Sequence, residues 1–332
     1  MERLQSILLA AAVLLVMPAC VIALVLHPLG EPDLGAWGER PDPNTVGRWG
    51  GNASCVAISS NCIITTRHQG GGIGTSVYFG DKRYVVQQIW DEPDAGGAAD
   101  LRVCRIASAS GGPTYLDAVA ALYTATNERN KTVVIGGFGM GRGAILGSYG
   151  YEWDGGDNQT LRWAQNKIDL TVSGRGETFS SDIIAADFDA HASPGVFGAM
   201  PYEAAIAAFD SGGGWFIEDG GRWKLAGLSH QVTGHESEVG ETWYSPPDDI
   251  DAVRVSSYAF WIQSAIPRRI SGDLNYDDWV DFFDFTLLAA WWQAAGCGAS
   301  NGFCGGADFA PSDGFVDGLD LGRMAENWLS GY

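Results

Sequence analysis

Positive charge is what this chain most lacks. Lys and Arg number 20 against 40 Asp and Glu, a net charge of −20. A nucleic-acid partner is not expected on that ground, because no basic face is available to displace counterions from phosphates. Amphipathic helical stripes are also few, while glycines number 46. Together these favour an all-β architecture with many turns. The βαβ rhythm of nucleotide-binding folds is missing as well. Gly139-x-Gly141-x-x-Ala144 satisfies a dinucleotide-loop spacing after an apolar run, but no amphipathic helix follows it, so it reads as a glycine-rich β corner. Cysteines are only six. Cys20 lies in the N-terminal apolar run, which leaves Cys55, Cys62, Cys104, Cys297 and Cys304, so at least one is unpaired or pairs between molecules.

What is present supports a packed protein: 332 residues, 46% apolar, with 13 Trp. That length allows one large domain with appendages, or two domains. After Arg3, residues 7–26 are almost wholly apolar. This predicts a secretory signal cleaved before about Glu31, with an uncleaved membrane anchor as the alternative. Residues 1–28 are assigned to that segment, and 29–45, with Pro32, Pro41 and Pro43, to a linker. The protein is expected to be exported, secreted or at the cell surface, touching a membrane only if the segment stays uncleaved.

The chemistry centres on Phe209-Asp210-Ser211-Gly212-Gly213-Gly214. Glycines let the backbone turn tightly, so the serine can present its hydroxyl and its own N–H in one direction. Alone, such a stretch is more often only a turn. Upstream, 54–58 and 62–66 are β-prone runs split by the hairpin signal Ser59-Ser60-Asn61. The second run ends in Arg67-His68-Gln69-Gly70, which would project His68 into a cleft. A loop at 91–99 delivers Asp100 onto the apolar run 101–106. Serine attack on a carbonyl needs an imidazole to take the proton, and the imidazole needs a carboxylate to hold its tautomer.

The chain order His68, Asp100, Ser211 is that of the chymotrypsin-like proteases, and the motifs resemble that family's. Ile63-Ile64-Thr65-Thr66-Arg67-His68 resembles its Thr-Ala-Ala-His strand end, and Asp100-Leu101-Arg102-Val103-Cys104-Arg105-Ile106 its Asp-Ile-Ala-Leu-Leu-Lys-Leu strand. Asp210-Ser211-Gly212-Gly213 matches its nucleophile loop, and Gly137-Phe138-Gly139 sits where the family often has Gly-Trp-Gly. Trp223-Lys224-Leu225-Ala226-Gly227-Leu228-Ser229 resembles the strand lining its substrate cleft, followed by His230. The resemblance implies a trypsin-like double β-barrel over residues 46–267. Ser211 would be nucleophile, His68 general base and then acid, and Asp100 the orienting carboxylate. The Ser211 N–H would be half of an oxyanion hole, and Ala205 the apolar floor of the specificity pocket. The chain departs from the pattern at three places. Phe209 stands where the family has glycine, no Ile-Val-Gly-Gly start supplies an amine for Asp210, and Gln69 replaces the cysteine after the histidine.

Residues 271–332 hold ten Asp/Glu against Arg323 alone, a net of −9. Asp273, Asn275, Asp277, Asp281 and Asp284 fall at positions 1, 3, 5, 9 and 12 of an EF-hand-type calcium loop, with the Trp279 carbonyl at position 7. Asp277, Val280, Asp281 and Asp284 recur as Asp313, Val316, Asp317 and Asp320, with Phe315 at the carbonyl position and Asp308 one residue early for position 1. Each loop leads into an apolar segment, 285–292 and 321–329, and Cys297 and Cys304 flank the connection and are expected to pair. Duplicated acidic loops, each followed by a helix, resemble a dockerin module over 272–332. That resemblance implies Ca2+ as a folding cofactor and a cohesin-type scaffold protein as partner. The expectation for the whole chain is an exported serine endopeptidase acting on protein or peptide substrates through His68, Asp100 and Ser211. The alternative is a catalytically inactive protease fold serving as a binding protein, displayed through the same module.

Overall fold

In a computed structural model of the chain, the described residues are 24–26, 39–93, 98–110, 114, 116–154, 159–176, 178–189, 199–234, 240–266, 270–275, 279–298 and 301–330. The protein is mostly β, as its composition predicts. After a first short strand, Val25–Leu26 (β1), six strands close into a barrel: Val46–Trp49 (β2), Ala53–Ala57 (β3), Cys62–Thr65 (β4), Ser76–Phe79 (β5), Lys82–Asp91 (β6) and Arg102–Ser108 (β7). Their order around the barrel is β2-β3-β4-β7-β6-β5. The β3–β4 hairpin turns at Ser59-Ser60-Asn61 as expected, with the Cys62 N–H donating to Ser59 Oγ at 2.9 Å.

Strand alternation explains why this half reads as continuous apolar runs. Ala53, Cys55 and Ala57 of β3, Ile63 of β4, and Cys104 and Ile106 of β7 join Trp49, Phe79 and Tyr84 in the cluster that fills the barrel. Their neighbours Val56, Cys62, Ile64 and Val103 face the other way, into a larger core shared with the second half. With both faces covered, β3 and β4 expose nothing. Cys55, Cys62 and Cys104 are buried here and outside any disulfide.

The second half contains Ala121–Leu122 (β8), Thr132–Gly137 (β9), Gly141–Leu146 (β10), Gly150–Asp154 (β11), Arg162–Lys167 (β12), Leu170–Arg175 (β13), Ser181–Asp187 (β14), Ala204–Ala205 (β15), Gly214–Glu218 (β16), Trp223–Thr233 (β17), Glu241–Trp243 (β18) and Asp249–Arg254 (β19). An eight-stranded sheet runs β12-β9-β16-β17-β19-β14-β13, with β8 alongside β17, and β10-β11-β18 form a separate three-stranded sheet. Residues 133–144 make two strands and a corner, with no helix to serve a nucleotide. The helix Val255–Ala265 (α1) closes this half. It starts earlier than the predicted 258–266, and its buried Val255, Ala259, Ile262 and Ala265 recur at helical spacing.

The first strand is a surprise. Leu24, Val25 and Leu26 belong by sequence to the apolar leader, yet they are 0, 0 and 3% exposed and lie in the large core. Val25 pairs with Ala205 and Leu26 with Ala204. Leu24 bridges Gly141, and Arg142 Nη1 donates to the Leu26 carbonyl at 3.0 Å. The expected leader, residues 1–28, therefore contains a strand, Val25–Leu26, that the domain uses.

Downstream, the helices Phe282–Ala290 and Gly318–Glu326 enclose a third cluster around Leu274, Val280, Leu288, Val316 and Met324. Cys297 and Cys304 are disulfide-bonded, as expected. Among the described residues, no helix is long and apolar enough to cross a membrane.

Candidate active site

The seam between the barrel and the second half brings the three predicted chemical residues together. His68 follows the end of β4, Asp100 precedes β7, and β4 pairs with β7, which carries both side chains to one end of the barrel. Asp100 is fully buried. Its Oδ1 accepts the backbone N–H groups of Arg67 at 2.7 Å and His68 at 2.8 Å. Its Oδ2 lies 2.5 Å from His68 Nδ1. Burial alone would raise the Asp100 pKa, but the His68 hydrogen bond and the nearby imidazoles outweigh it and hold the carboxyl below its ordinary range. An ionised Asp100 can only accept, so Nδ1 carries the ring proton and Nε2 is left as an acceptor. Ser211 Oγ lies 2.7 Å from that Nε2.

Ser211 comes from the second half, on the turn before β16. The Ser54 N–H donates to the Ser211 carbonyl at 2.8 Å. Ser54 Oγ donates to the Phe209 carbonyl at 3.1 Å and accepts the Phe138 N–H at 3.0 Å. Thr65 Oγ1 donates to the Ser54 carbonyl at 2.7 Å. Ser54 thus ties the barrel to the serine turn, a role the sequence reading missed; its one signal is a hydroxyl within the apolar run of β3. Ser181 was missed likewise: its Oγ accepts the Asp100 N–H at 2.9 Å.

Phe209 adopts φ +73°, a left-handed conformation that glycine accepts more readily. Its ring does not prevent the turn from forming. Neither the Phe209 nor the Ser211 amide N–H hydrogen-bonds to a described residue. Gly212, at φ +79°, has no room for a side chain, since a Cβ would overlap Thr65 Oγ1 and the Ser54 carbonyl.

Asp210 is fully buried. Its carboxylate accepts the Gly139 N–H at 2.8 Å and the Ala207 N–H at 2.9 Å. Burial is the dominant influence and pushes its pKa up to about 7, the two amides offsetting only part. A Cβ at Gly137 or Gly139 would overlap this carboxylate, which explains both glycines of Gly137-Phe138-Gly139.

Ser229 and His230 lie on β17. Ser229 is buried, and its Oγ accepts the Trp215 Nε1–H at 3.1 Å. His230 borders a cavity of about 860 Å³ with His68, Arg175, Phe179, Gln231 and Thr233. Ala205 does not line that cavity. It is fully buried in β15, opposite Val25.

The acidic loops fold back on themselves. Asp284 Oδ1 accepts the N–H groups of Leu274 at 2.6 Å and Asn275 at 3.0 Å, just after the buried Asp273, and Trp279 lies before the helix. Asp320 Oδ1 does the same for Phe309 at 2.8 Å and Ala310 at 2.9 Å. Asp308 accepts the N–H groups of Asp313 and Gly314, both at 3.1 Å, and Asp313 Oδ1 accepts that of Phe315. Asp281 and Asp317 cap their helices, each in a reciprocal capping box with Asp284 or Asp320. Asp277 lies outside the described residues. Comparison with known proteins finds no protein-family model that matches this chain and no curated protein similar to it.

Proposed function

We propose that the chain is an exported serine endopeptidase. The observation that carries this reading is the continuous line Asp100 Oδ2–His68 Nδ1 at 2.5 Å and His68 Nε2–Ser211 Oγ at 2.7 Å. In the reaction, Ser211 Oγ bonds to the substrate carbonyl carbon as its proton passes to His68 Nε2. Asp100 stabilises the imidazolium that results. The Phe209 and Ser211 N–H groups receive the oxyanion, which one such donor stabilises by roughly 3 kcal/mol. His68 then returns the proton to the leaving amine, and water, deprotonated by the same nitrogen, releases the acyl group. The closed barrel supports the first half of a trypsin-like double barrel, with the eight-stranded sheet as its counterpart. The alternative, an inactive binding protein, draws its force from Phe209; the left-handed turn, whose Phe209 and Ser211 amides hydrogen-bond to no described residue, supports the peptidase reading instead.

The donors of the C-terminal loops are of the oxygen type that calcium takes, although among the described residues their carboxylates do not gather into one cluster. Asp308 and Asp320 are 2 and 1% exposed, and among the described residues their carboxylates accept only backbone N–H groups. Burying a carboxylate without a cation is costly, and an all-oxygen donor set suits a hard divalent ion. When bound, Ca2+ would neutralise these acids and couple loop closure to folding. The exposed Phe282, Phe283 and Leu319 on the two helices offer a surface for the cohesin-type partner of a dockerin-like module.

A fluorophosphonate probe tests the hydrolase class. Labelling of the wild type that disappears in both Ser211→Ala and His68→Ala is expected; a well-folded protein that never labels would leave the binding-protein reading standing. For the module, calorimetry of the full chain with calcium and with chelator is expected to show a calcium-dependent transition. An identical trace in both would remove the dockerin-like assignment.

A further inference from the structure

Asp100 presents one oxygen to two histidines. Its Oδ2 lies 2.5 Å from His68 Nδ1 and 3.5 Å from His230 Nε2, and one donor atom from each of the three residues lies within 4.8 Å of the other two. Hydrolysis uses His68 and Asp100 and leaves His230 without a task. The His230 side chain is 8% exposed and meets His68 edge-on, with ring centroids 5.7 Å apart. Buried imidazoles ordinarily satisfy both nitrogens. Here Nδ1 has no hydrogen-bond partner among the described residues, so hydrogen bonding alone does not account for the ring's position.

We infer that His68 Nδ1, Asp100 Oδ2 and His230 Nε2 form a site for a divalent transition metal, zinc by its donor set, and that the bound ion switches hydrolysis off. The binding half stands on geometry; only the switching half rests on the peptidase reading. Zinc takes two imidazoles, a carboxylate oxygen and one open position, with bonds of about 2.0–2.1 Å, which sets neighbouring ligand atoms roughly 3.3 Å apart. The Asp100–His230 spacing already meets that. His68 has to draw back from Asp100 by about 1 Å. Its side chain is 35% exposed, beside the cavity it shares with His230, so the movement is open to it and the ion has a way in. Calcium and magnesium suit the site poorly, because it offers two nitrogens and a single carboxylate.

The switch follows from proton accounting. The metal–Nδ1 bond takes the lone pair that held the Nδ1 proton, and that proton moves to Nε2 of the same ring. Nε2–H then donates toward Ser211 Oγ, and no base remains to accept the serine proton. Nothing is oxidised or reduced.

Zinc chloride titrated calorimetrically into the full-length Ser211→Ala protein tests binding without activity, with millimolar calcium present to occupy the acidic loops. One binding event is expected, weakened more than about tenfold by adding His230→Gln or His68→Gln. Cobalt in place of zinc should give the visible absorption of a four-coordinate site, lost in the same variants. Unchanged zinc affinity in both variants overturns the site, and His68→Gln alone decides if His230→Gln fails to fold. For the switch, zinc should slow fluorophosphonate labelling of the wild type at least about tenfold, reversed by a zinc-selective chelator. Undiminished labelling with zinc bound overturns that half. A zinc-free protein that does not label removes the peptidase reading and the switch together, while the binding result stands on calorimetry.

Discussion

The two β halves hold their acids by opposite means. In the barrel half, Asp91 is bonded to Arg102 and Asp100 to His68, and both carboxyls sit below their ordinary range. In the second half, burial pushes Asp187 to about 7, Asp189 to about 6, Glu203 to about 8 and Asp210 to about 7. The partners differ in kind. Glu203 accepts the N–H groups of Asp189 and Met200, and Asp210 those of Ala207 and Gly139. Amide dipoles carry no net charge, so they offset only part of the cost of removing a carboxylate from water. Arg254 forms two bonds to Glu128, with Ser256 adding a third, and that carboxyl falls despite its burial, whereas Arg175 at 3.0 Å does not overcome the burial of Asp251, which stays raised. A site built across this seam leans on one acid that favours its charge and one that resists it.

The largest effect should come from breaking the charged side. Asp100→Asn keeps the size of the side chain but turns an acceptor of the Nδ1–H into a donor, which favours the wrong tautomer of His68. Fluorophosphonate labelling should slow by about 10⁴-fold. A loss of tenfold or less would mean that Asp100 does not orient His68.

Next in size is the strand that precedes both halves. Three fully buried apolar side chains contribute about 1.5–3 kcal/mol each, as an upper bound. A protein starting at Glu31 should therefore lose on the order of 4 kcal/mol in denaturant melts relative to one starting at Leu24. Equal midpoints would show that Leu24, Val25 and Leu26 do not support the fold. If they do, N-terminal sequencing of the exported protein should find Leu24 still attached.

A third variant probes the seam itself. Gly212→Ala combines the cost of a left-handed residue with an overlap against Ser54 and Thr65 of the barrel. The expected loss is about 2–4 kcal/mol, with labelling reduced in parallel. Gly221→Ala is the control, because Gly221 has φ +76° but nothing within 4 Å of a Cβ. The difference between the two isolates the contact between halves, and equal losses would mean that the seam yields.

Much of this was legible in the sequence, for physical reasons that also mark the limits. A histidine at a strand end, an acid before a strand and a serine in a glycine turn each announce a local geometry, so His68, Asp100 and Ser211 stood out. The role of Ser54 did not, because its bonds to Phe209, Ser211 and Phe138 join distant parts of the chain through backbone groups that no residue name reveals. β1 was hidden differently: an apolar run has the same composition whether it ends in a leader or in a protein core. The C-terminal helices were expected to follow their loops at 285 and 321, but begin at Phe282 and Gly318. Asp281 and Asp317, read only as metal ligands, also accept N–H groups of the first helical turn.

The smallest effect is the most direct test of the contrast between halves. Asp187, Glu203 and Asp210 bind a proton more tightly folded than unfolded, where a carboxyl titrates near 4. The stability they confer is complete below about pH 4 and is lost as pH rises through their folded values of about 7, 8 and 7. Asp91, Asp100 and Glu128 behave in reverse, since their folded values lie below the unfolded ones. Their stabilisation is lost only as pH falls into the range of those lowered values, so they are silent near neutrality. His230, lowered from 6.5, adds stability as pH rises toward that value and nothing beyond it. Between about pH 6.5 and 8 the second-half acids therefore stand alone, and thermal melts should fall steadily across that window. A rise there would contradict the assignment of their raised values to burial. Glu203→Gln should flatten the decline, since each proton bound only in the folded state contributes at most about 1.4 kcal/mol per pH unit. The slope carries the result rather than the absolute melting temperature, because the amide also disturbs one of the two N–H contacts and lowers stability at every pH alike.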